Sequence, residues 1–205
     1  MEEYQIIHKP KHFWNAEIIA QHEQDVIIKQ LSLNPASRKQ KAMIPIIQWF
    51  FQREARLLTQ ISRQAPGITP KVLVLEPNKI ILERLTGPTF FECRTTLPGQ
   101  EELYNKLVVT LQQLHQAGFA HGELRLGNIM INNNDVLLID FSTAISQSSL
   151  FFHLLKMLDL FALEWIKEHV FKLDLHEHDV QMRRQYSLVY WIFSQSYLAH
   201  DIPFR

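Results

Sequence analysis

The first third of the chain alternates short apolar runs with polar breaks, which is the pattern of β-strands. Two β-rich runs, 16–20 and 26–31, flank the polar segment 21–25 and predict two strands. Two further runs, 72–75 and 80–85, are separated by a Pro-Asn pair and predict a hairpin. The N-terminal part of the chain is therefore expected to be rich in β-structure.

A helix is predicted between these two pairs of strands. Pro45 suits the first turn of a helix, where the missing N–H of proline removes no hydrogen bond. The apolar residues that follow recur at helical spacing: Ile46, Trp49, Phe50, Leu57, Leu58 and Ile61. Pro66-Gly67 is a strong break in this pattern, so the helix is expected to end there.

Beyond residue 100 the pattern changes to helical stretches. One face of the first stretch is apolar and predicts a helix that Gly118 terminates. The leucines on this face are Leu103, Leu107, Leu111 and Leu114. Two short apolar runs, 129–131 and 136–139, predict strands around a turn. The segment 150–170 is apolar on almost every side, which predicts a deeply buried helix, and a last helix is expected over about 177–198.

A β-rich half followed by a helical half predicts an α+β fold with two lobes and a cleft between them. We expect an N-terminal lobe over residues 1–86 and a C-terminal lobe over residues 87–205. Hydrophobic residues make up 46% of the 205 residues, which is enough for a sizeable core.

The charge and cysteine content exclude several classes of protein. The 21 basic and 21 acidic side chains cancel, so no global field favours nucleic acid or an anionic membrane. Cys93 is the only cysteine, which excludes disulfides and thiolate zinc sites within the chain and favours a reducing compartment. The N-terminal residues lack the features of a signal peptide, and no apolar run is long enough to span a membrane. We therefore expect a cytoplasmic protein.

The segment with the most specific chemistry runs from His121 to Asn128 and is followed by a strand that leads to Asp140. Phosphoryl transfer needs a carboxylate near the attacking hydroxyl and oxygen ligands for magnesium beside the phosphates. Glu123 and Asn128 in the loop, together with Asp140 after the strand, supply groups of these kinds from two neighbouring pieces of backbone.

These two motifs, His-Gly-Glu-Leu-Arg-Leu-Gly-Asn and Ile-Asp-Phe-Ser, resemble the catalytic loop and the metal-binding motif of kinases. Gly122 is the residue found there in RIO kinases, aminoglycoside phosphotransferases and related small atypical kinases. The resemblance implies a protein-kinase-like fold that uses ATP and Mg²⁺. It implies Asn128 and Asp140 as metal ligands and Glu123 as the catalytic carboxylate. It also implies that Asp159 is a buried aspartate that braces the loop.

Two upstream segments extend the resemblance. Lys29 ends a Val-Ile-Ile-Lys run similar to the strand whose lysine grips the nucleotide phosphates, and Glu54 lies on a segment similar to the helix whose glutamate pairs with that lysine. The stretch 53–87 resembles the small kinases of the tRNA-threonylcarbamoylation complex and the bacterial lipopolysaccharide-core kinases. The resemblance implies that the backbone around Glu83 and Leu85 contacts adenine.

The sequence departs from the kinase pattern in three places. No glycine precedes Gly67, so the usual glycine-rich phosphate lid is absent. Side chains from Lys9, Lys11, His12 and Asn15 are candidates to replace it, and the alternative is that they form a solvated loop. Glu123 stands where aspartate is usual and is longer by one methylene group, and Ser142 replaces the glycine that normally follows the Asp-Phe pair.

These observations leave two functions open. The first is an ATP- and Mg²⁺-dependent phosphotransferase whose acceptor is a hydroxyl of a lipopolysaccharide-core sugar or of a protein serine or threonine. Its expected partners are ATP and this acceptor, with peripheral contact to the inner membrane in the case of a sugar acceptor. The second is a pseudokinase, a nucleotide-binding interaction module without significant turnover. Specific nucleic-acid binding is expected of neither.

Overall fold

The computed structural model describes residues 4–8, 16–21, 25–31, 33, 38–174, 181 and 184. These residues form an α+β protein, which is the predicted fold class. The chain divides into two compact units, Met1–Leu85 and Thr86–Arg205.

The first unit contains a five-stranded antiparallel sheet with the strand order β1-β2-β3-β5-β4. Its strands are β1 (Tyr4–His8), β2 (Ala16–Gln21), β3 (Val26–Leu31), β4 (Val72–Glu76) and β5 (Lys79–Glu83). The two early strands and the hairpin that the sequence predicts are confirmed. Strand β1 was not predicted, and it lies at the edge of the sheet among the described strands, next to β2.

Helix α1 (Arg38–Gln64) begins earlier than its sequence pattern indicates, because Pro45 lies inside it rather than in its first turn. The segment before the proline is rich in good helix formers such as lysine, glutamine and alanine, which favour extending the helix. Pro45 is exposed, so backbone groups displaced by its ring can bond to water. The helix ends just before Pro66-Gly67, as predicted.

One face of α1 packs on the sheet. The buried cluster that joins them is apolar and consists of Leu31, Ile47, Phe51, Ala55 and Ile80. Leu31 comes from β3 and Ile80 from β5, so this contact fixes α1 over the middle of the sheet.

The second unit combines two helices with short strand pairs. Its elements are α2 (Glu101–Gln116), β6 (Phe119–Ala120), β7 (Ile129–Asn132), β8 (Asp135–Leu138), β9 (Ile145–Ser146) and α3 (Phe152–His169). The predicted leucine face of α2 is buried, and Gly118, with φ of +80°, ends this region in the left-handed conformation that glycine adopts easily. The predicted strands β7 and β8 pair around Asn133 and Asn134, which both have positive φ, as two-residue hairpin turns require.

Helix α3 is not buried along its whole length, contrary to the sequence prediction. Its second half, from Asp159 to Lys167, is almost entirely buried, whereas Leu154 in its first half is 45% exposed. The apolar pattern predicts burial only where neighbours surround a helix, and the first half of α3 is covered on one side. The helix predicted over 177–198 lies outside the described residues, apart from Gln181 and Arg184, which are helical and exposed.

Among the described residues, none of the helices combines the length and the apolar character needed to cross a membrane.

Candidate active site

The loop from His121 to Asn128 is anchored on the buried carboxylate of Asp159 in α3. One oxygen, Oδ2, accepts a hydrogen bond from the N–H of His121 at 2.8 Å and lies 3.0 Å from Nε2 of His115 in α2. The other, Oδ1, accepts one from the N–H of Gly122 at 2.8 Å. Asp159 is 1% exposed, so these bonds satisfy a charge that water does not reach. The carboxylate therefore fixes the start of the loop against both helices.

Glycine at position 122 suits both the backbone conformation of the loop and its close packing. Its φ is +78°, in the left-handed region that side chains disfavour. A Cβ atom there would lie 2.9 Å from Cδ1 of Leu155 and 3.3 Å from the carbonyl oxygen of Thr143. The glycine thus allows the loop to approach α3 and the segment after β8 closely.

Three hydrogen bonds join the loop to residues 139–143. The N–H of Ile139 donates to the carbonyl of Asn128 at 2.9 Å, and the ring nitrogen Nε2 of His121 lies 3.1 Å from the carbonyl of Ile139. The hydroxyl of Thr143 donates to the carbonyl of His121 at 3.0 Å. These bonds hold Asp140, which follows Ile139 directly, beside the end of the loop.

Asn128 and Asp140 form a candidate cation site. The side-chain N–H of Asn128 donates to the carbonyl of Glu123 at 3.0 Å, which orients the amide and leaves its oxygen, the atom that binds cations, outside this bond. Asp140 is exposed and has φ of +60°, a sparsely populated conformation that is enriched at functional sites.

The chemistry of this pair fits magnesium better than a tightly caged metal. The described residues contain no group of three or more His, Cys, Asp or Glu side chains that could hold a metal. Magnesium is commonly bound through one or two carboxylates, with water and substrate phosphates as its other ligands. One carboxylate and one amide oxygen are therefore sufficient if a nucleotide supplies the remaining ligands.

Glu123 forms an ion pair that the sequence did not predict. Its Oε1 lies 3.1 Å from Nη2 of Arg125, and the two side chains are 27% and 30% exposed. Ion pairs of this exposure contribute about 0–1 kcal/mol to stability. The contact therefore orients the carboxylate but does not fix it in one position. The spacing Glu-x-Arg was the only sequence signal for it.

Lys29 and Glu54 meet in the first unit, as the sequence predicts. The Nζ of Lys29 in β3 lies 2.7 Å and 2.9 Å from the two carboxylate oxygens of Glu54 in α1. The two side chains are only 16% and 10% exposed, so the pair is largely shielded from water. This contact fixes the lysine ammonium group relative to the sheet.

The backbone around Glu83 and Leu85 is partly engaged within the first unit. The N–H of Glu83 donates to the carbonyl of Lys71 at 2.9 Å, and the N–H of Arg84 donates to that of Asp25 at 3.2 Å. The carboxylate of Glu83 accepts a hydrogen bond from the N–H of Lys71 at 3.3 Å. Adenine binding by this segment stays a prediction. Because the N–H groups of Glu83 and Arg84 already donate to backbone carbonyls, the N–H of Leu85 is the donor that we expect to contact adenine.

The predicted site residues fall into two sets. The first unit holds Lys29, Glu54, Glu83 and Leu85, and the second holds Glu123, Asn128 and Asp140. The candidates to replace the glycine-rich lid, Lys9, Lys11, His12 and Asn15, lie outside the described residues.

Two histidines are part of the site although the sequence analysis gave them no role. The ring of His121 is fully buried, and its centroid lies 4.8 Å from that of Phe141, so it supports the segment that carries Asp140. His115 contacts Asp159 from the buried face of α2. The available signal for His115 was a histidine directly after Leu114, the last leucine of the apolar face of α2.

A family model described as the RIO domain matches residues 22–158, a segment that contains the predicted nucleotide, metal and catalytic residues from Lys29 to Asp140. The chain belongs to the RIO domain family. RIO proteins are atypical protein kinases, and the α+β architecture of this RIO chain, with its β-sheet unit followed by a helical unit, is that of a bilobal kinase-like fold.

Two archaeal proteins are similar to part of this RIO chain. The "Probable bifunctional tRNA threonylcarbamoyladenosine biosynthesis protein" of Methanothermobacter thermautotrophicus is 33% identical over 92 residues, which are 44% of this chain and 16% of that protein. The "Probable serine/threonine-protein kinase BUD32 homolog" of Archaeoglobus fulgidus is 26% identical over 91 residues, 44% of each chain. The chain therefore spans less than half the length of either relative.

Proposed function

We propose that this RIO protein is an ATP- and Mg²⁺-dependent phosphotransferase that acts on a hydroxyl group. The observation that carries the proposal is the loop anchored on Asp159, which presents Glu123 and Asn128 beside the segment of Asp140. Catalysis of phosphoryl transfer consists mostly of positioning and charge neutralisation, and a rigid loop with these groups suits both tasks.

Each residue has a role that its surroundings support. Asn128 and Asp140 would hold magnesium, which neutralises charge on the phosphate oxygens when bound. Lys29, fixed by Glu54 at 2.7 Å, would orient the nucleotide phosphates. Glu123 would position the acceptor hydroxyl and accept its proton, which requires a distance of about 2.6–3.2 Å in the productive complex.

A protein serine or threonine is the acceptor that the relatives favour. One of the two similar proteins is named as a serine/threonine-protein kinase. Neither is named as a lipopolysaccharide kinase, so the sugar acceptor has no support beyond the sequence resemblance. The tRNA-related name belongs to a protein of which the similar segment is 16%, which is too small a share for that activity to be assigned here. ATP as donor agrees with the cytoplasmic location proposed from the sequence.

The second candidate function is a pseudokinase, and one observation favours it. The carboxylate of Glu123 is paired with the guanidinium of Arg125 at 3.1 Å. The guanidinium occupies one of the two carboxylate oxygens that could contact an acceptor hydroxyl. If the Glu123–Arg125 pair persisted when nucleotide is bound, the chain would bind ATP without transferring its phosphate.

Transfer of labelled phosphate from ATP separates these functions. The purified chain is incubated with γ-labelled ATP, magnesium and a cell extract, and the label is then measured in protein and glycolipid fractions. We expect label on protein hydroxyls for the wild type and for Glu101→Gln, an exposed control in α2, and little for Glu123→Gln. Equal transfer by Glu123→Gln and the wild type would exclude the base role. ATP binding without transfer by any variant would establish the pseudokinase instead.

A further inference from the structure

The N-terminal half of α1 is apolar on two sides, and among the described residues only one of these sides is packed. Ile47 and Phe51 face the sheet and are buried. On the outer side, four large apolar residues are about half exposed: Met43 (44%), Ile46 (57%), Trp49 (54%) and Phe50 (55%). We call these four residues the outer patch. A contiguous exposed patch of this kind on a helix marks an interaction surface, since single exposed apolar residues are ordinary but clusters are not.

The charge that α1 itself carries is almost entirely positive. Helix α1 carries six basic residues, at 38, 39, 41, 53, 56 and 63, and a single acidic residue, Glu54. Glu54 is buried and paired with Lys29, so it contributes no carboxylate to the outer side. Arg38 and Lys41 on the N-terminal side of the patch and Arg56 on its C-terminal side are exposed.

The two units of the chain also differ in charge. Residues 1–85 contain 12 Lys and Arg against 8 Asp and Glu, whereas residues 86–205 contain 9 against 13. The neutral total thus hides a basic first unit, and α1 contributes half of the basic residues of that unit. A surface that joins bulky apolar side chains to positive charge is complementary to an apolar layer covered by anionic groups.

We propose that the outer patch of α1 binds to an anionic lipid membrane surface. The helix would lie in the plane of the membrane, with the outer patch at the boundary between headgroups and acyl chains and the flanking Arg38 and Arg56 among the phosphates. Trp49 suits this boundary because its ring is apolar and its N–H is polar. The proposal is independent of the phosphotransferase function, since no residue of the candidate active site belongs to the outer patch.

The composition of the outer patch favours lipid over the other anionic partners. Nucleic acid would be recognised by stacking on exposed aromatic rings, but Trp49 and Phe50 pack edge to face with centroids 4.9 Å apart, and the rest of the patch is aliphatic or thioether. A fluid anionic surface needs no stacked rings.

Flotation of the full chain with vesicles tests the proposal. One set of vesicles contains phosphatidylcholine alone, and the other contains equal parts phosphatidylcholine and phosphatidylglycerol. We expect binding to the second set only, weakened by added salt. Ile46→Gln/Phe50→Gln should abolish it, and Val109→Gln, which alters a 51% exposed valine of α2, should not. Arg38→Gln/Arg56→Gln should weaken binding roughly twenty-fivefold, at about fivefold per charge, and Lys71→Gln/Lys172→Gln should have little effect.

Tryptophan quenching locates the contact. Brominated lipids in the anionic vesicles should quench part of the wild-type fluorescence, and Trp49→Phe should remove that part while binding persists.

Three results would overturn the proposal. The first is no binding to anionic vesicles, and the second is equal binding of the wild type and Ile46→Gln/Phe50→Gln. The third is an Ile46→Gln/Phe50→Gln variant that still binds vesicles but no longer binds single-stranded RNA or no longer self-associates. Loss of RNA binding would assign the outer patch to nucleic acid, and loss of self-association would assign it to a second copy of the chain.

Discussion

Asp159 is the single residue on which the shape of the candidate catalytic loop depends most. Its two oxygens accept the N–H groups of His121 and Gly122 and contact His115, all within a buried environment. In Asp159→Asn one carboxylate oxygen is replaced by an NH₂ group, which cannot accept the hydrogen bond that a backbone N–H of His121 or Gly122 donates in the wild type. Loss of a charge-assisted bond and the new donor–donor contact should lower the free energy of unfolding by about 2–4 kcal/mol.

Urea denaturation of the wild type, Asp159→Asn and the exposed control Asp135→Asn measures this effect. The control should stay within about 0.5 kcal/mol of the wild type, as substitutions at exposed positions usually do. An Asp159→Asn variant as stable as the control would show that the loop does not depend on this carboxylate.

The pair of Glu123 and Arg125 distinguishes an enzyme from a pseudokinase at the level of single residues. If Glu123 is the base, Glu123→Gln should reduce turnover about a hundredfold or more, because the amide keeps the shape and loses the basicity. Arg125→Gln should change turnover by less than about fivefold, because a partly exposed ion pair is worth about 1 kcal/mol or less. Turnover constants at saturating ATP for both variants provide the measurement. A large gain of activity in Arg125→Gln would mean that the ion pair holds the native chain inactive.

At the scale of elements, the contact between β3 and α1 combines a core and an ion pair. Lys29 and Glu54 are mostly shielded from water, so their separation should cost more than that of a surface pair. We expect Lys29→Ala to lower the free energy of unfolding by about 1–3 kcal/mol and to weaken ATP binding. Lys29→Met/Glu54→Gln should recover much of the stability and none of the affinity. Thermal unfolding and calorimetric titration of both variants test this, and full recovery of ATP affinity by the double variant would contradict the assigned role of Lys29.

Elements with a strong local pattern could be predicted from the sequence. The strands of 26–31 and the hairpin around Pro77-Asn78 follow from apolar runs and turn residues, which act over a few residues. The leucine face of α2 and its end before Gly118 follow from helical periodicity and the conformational freedom of glycine.

Elements whose bounds or burial depend on their surroundings could not be predicted from the sequence. The start of α1 before Pro45 depends on the exposure of that proline, and the half-exposed start of α3 depends on how few elements cover it. The same limit applies to the site. The Lys29–Glu54 contact and the role of Asp159 came from ordered motifs, but the Glu123–Arg125 pair is a matter of side-chain direction, which residue spacing does not determine.

At the scale of the whole molecule, each of the two units contains residues with a proposed role in ATP binding. Lys29 and Glu54 belong to the first unit, and Asn128 and Asp140 belong to the second. We expect substitutions in either unit to weaken ATP binding, but only those in the second unit should act through magnesium. Asp140→Ala and Asn128→Ala should remove the gain in affinity that magnesium gives, whereas Lys29→Ala should weaken binding with and without the metal.

Calorimetric titration of ATP with and without magnesium tests the central claim most directly, because a RIO-type kinase must bind the magnesium complex of ATP before any transfer. We predict saturable binding by the wild type that is tighter with magnesium, and Asp140→Ala should bind with the same affinity in both conditions. A matched unfolding measurement should show stabilisation of about 2.7 kcal/mol when ligand is at 100 times its dissociation constant. Absence of binding by the folded wild type at millimolar ATP, or a magnesium effect that survives in Asp140→Ala, would contradict the account.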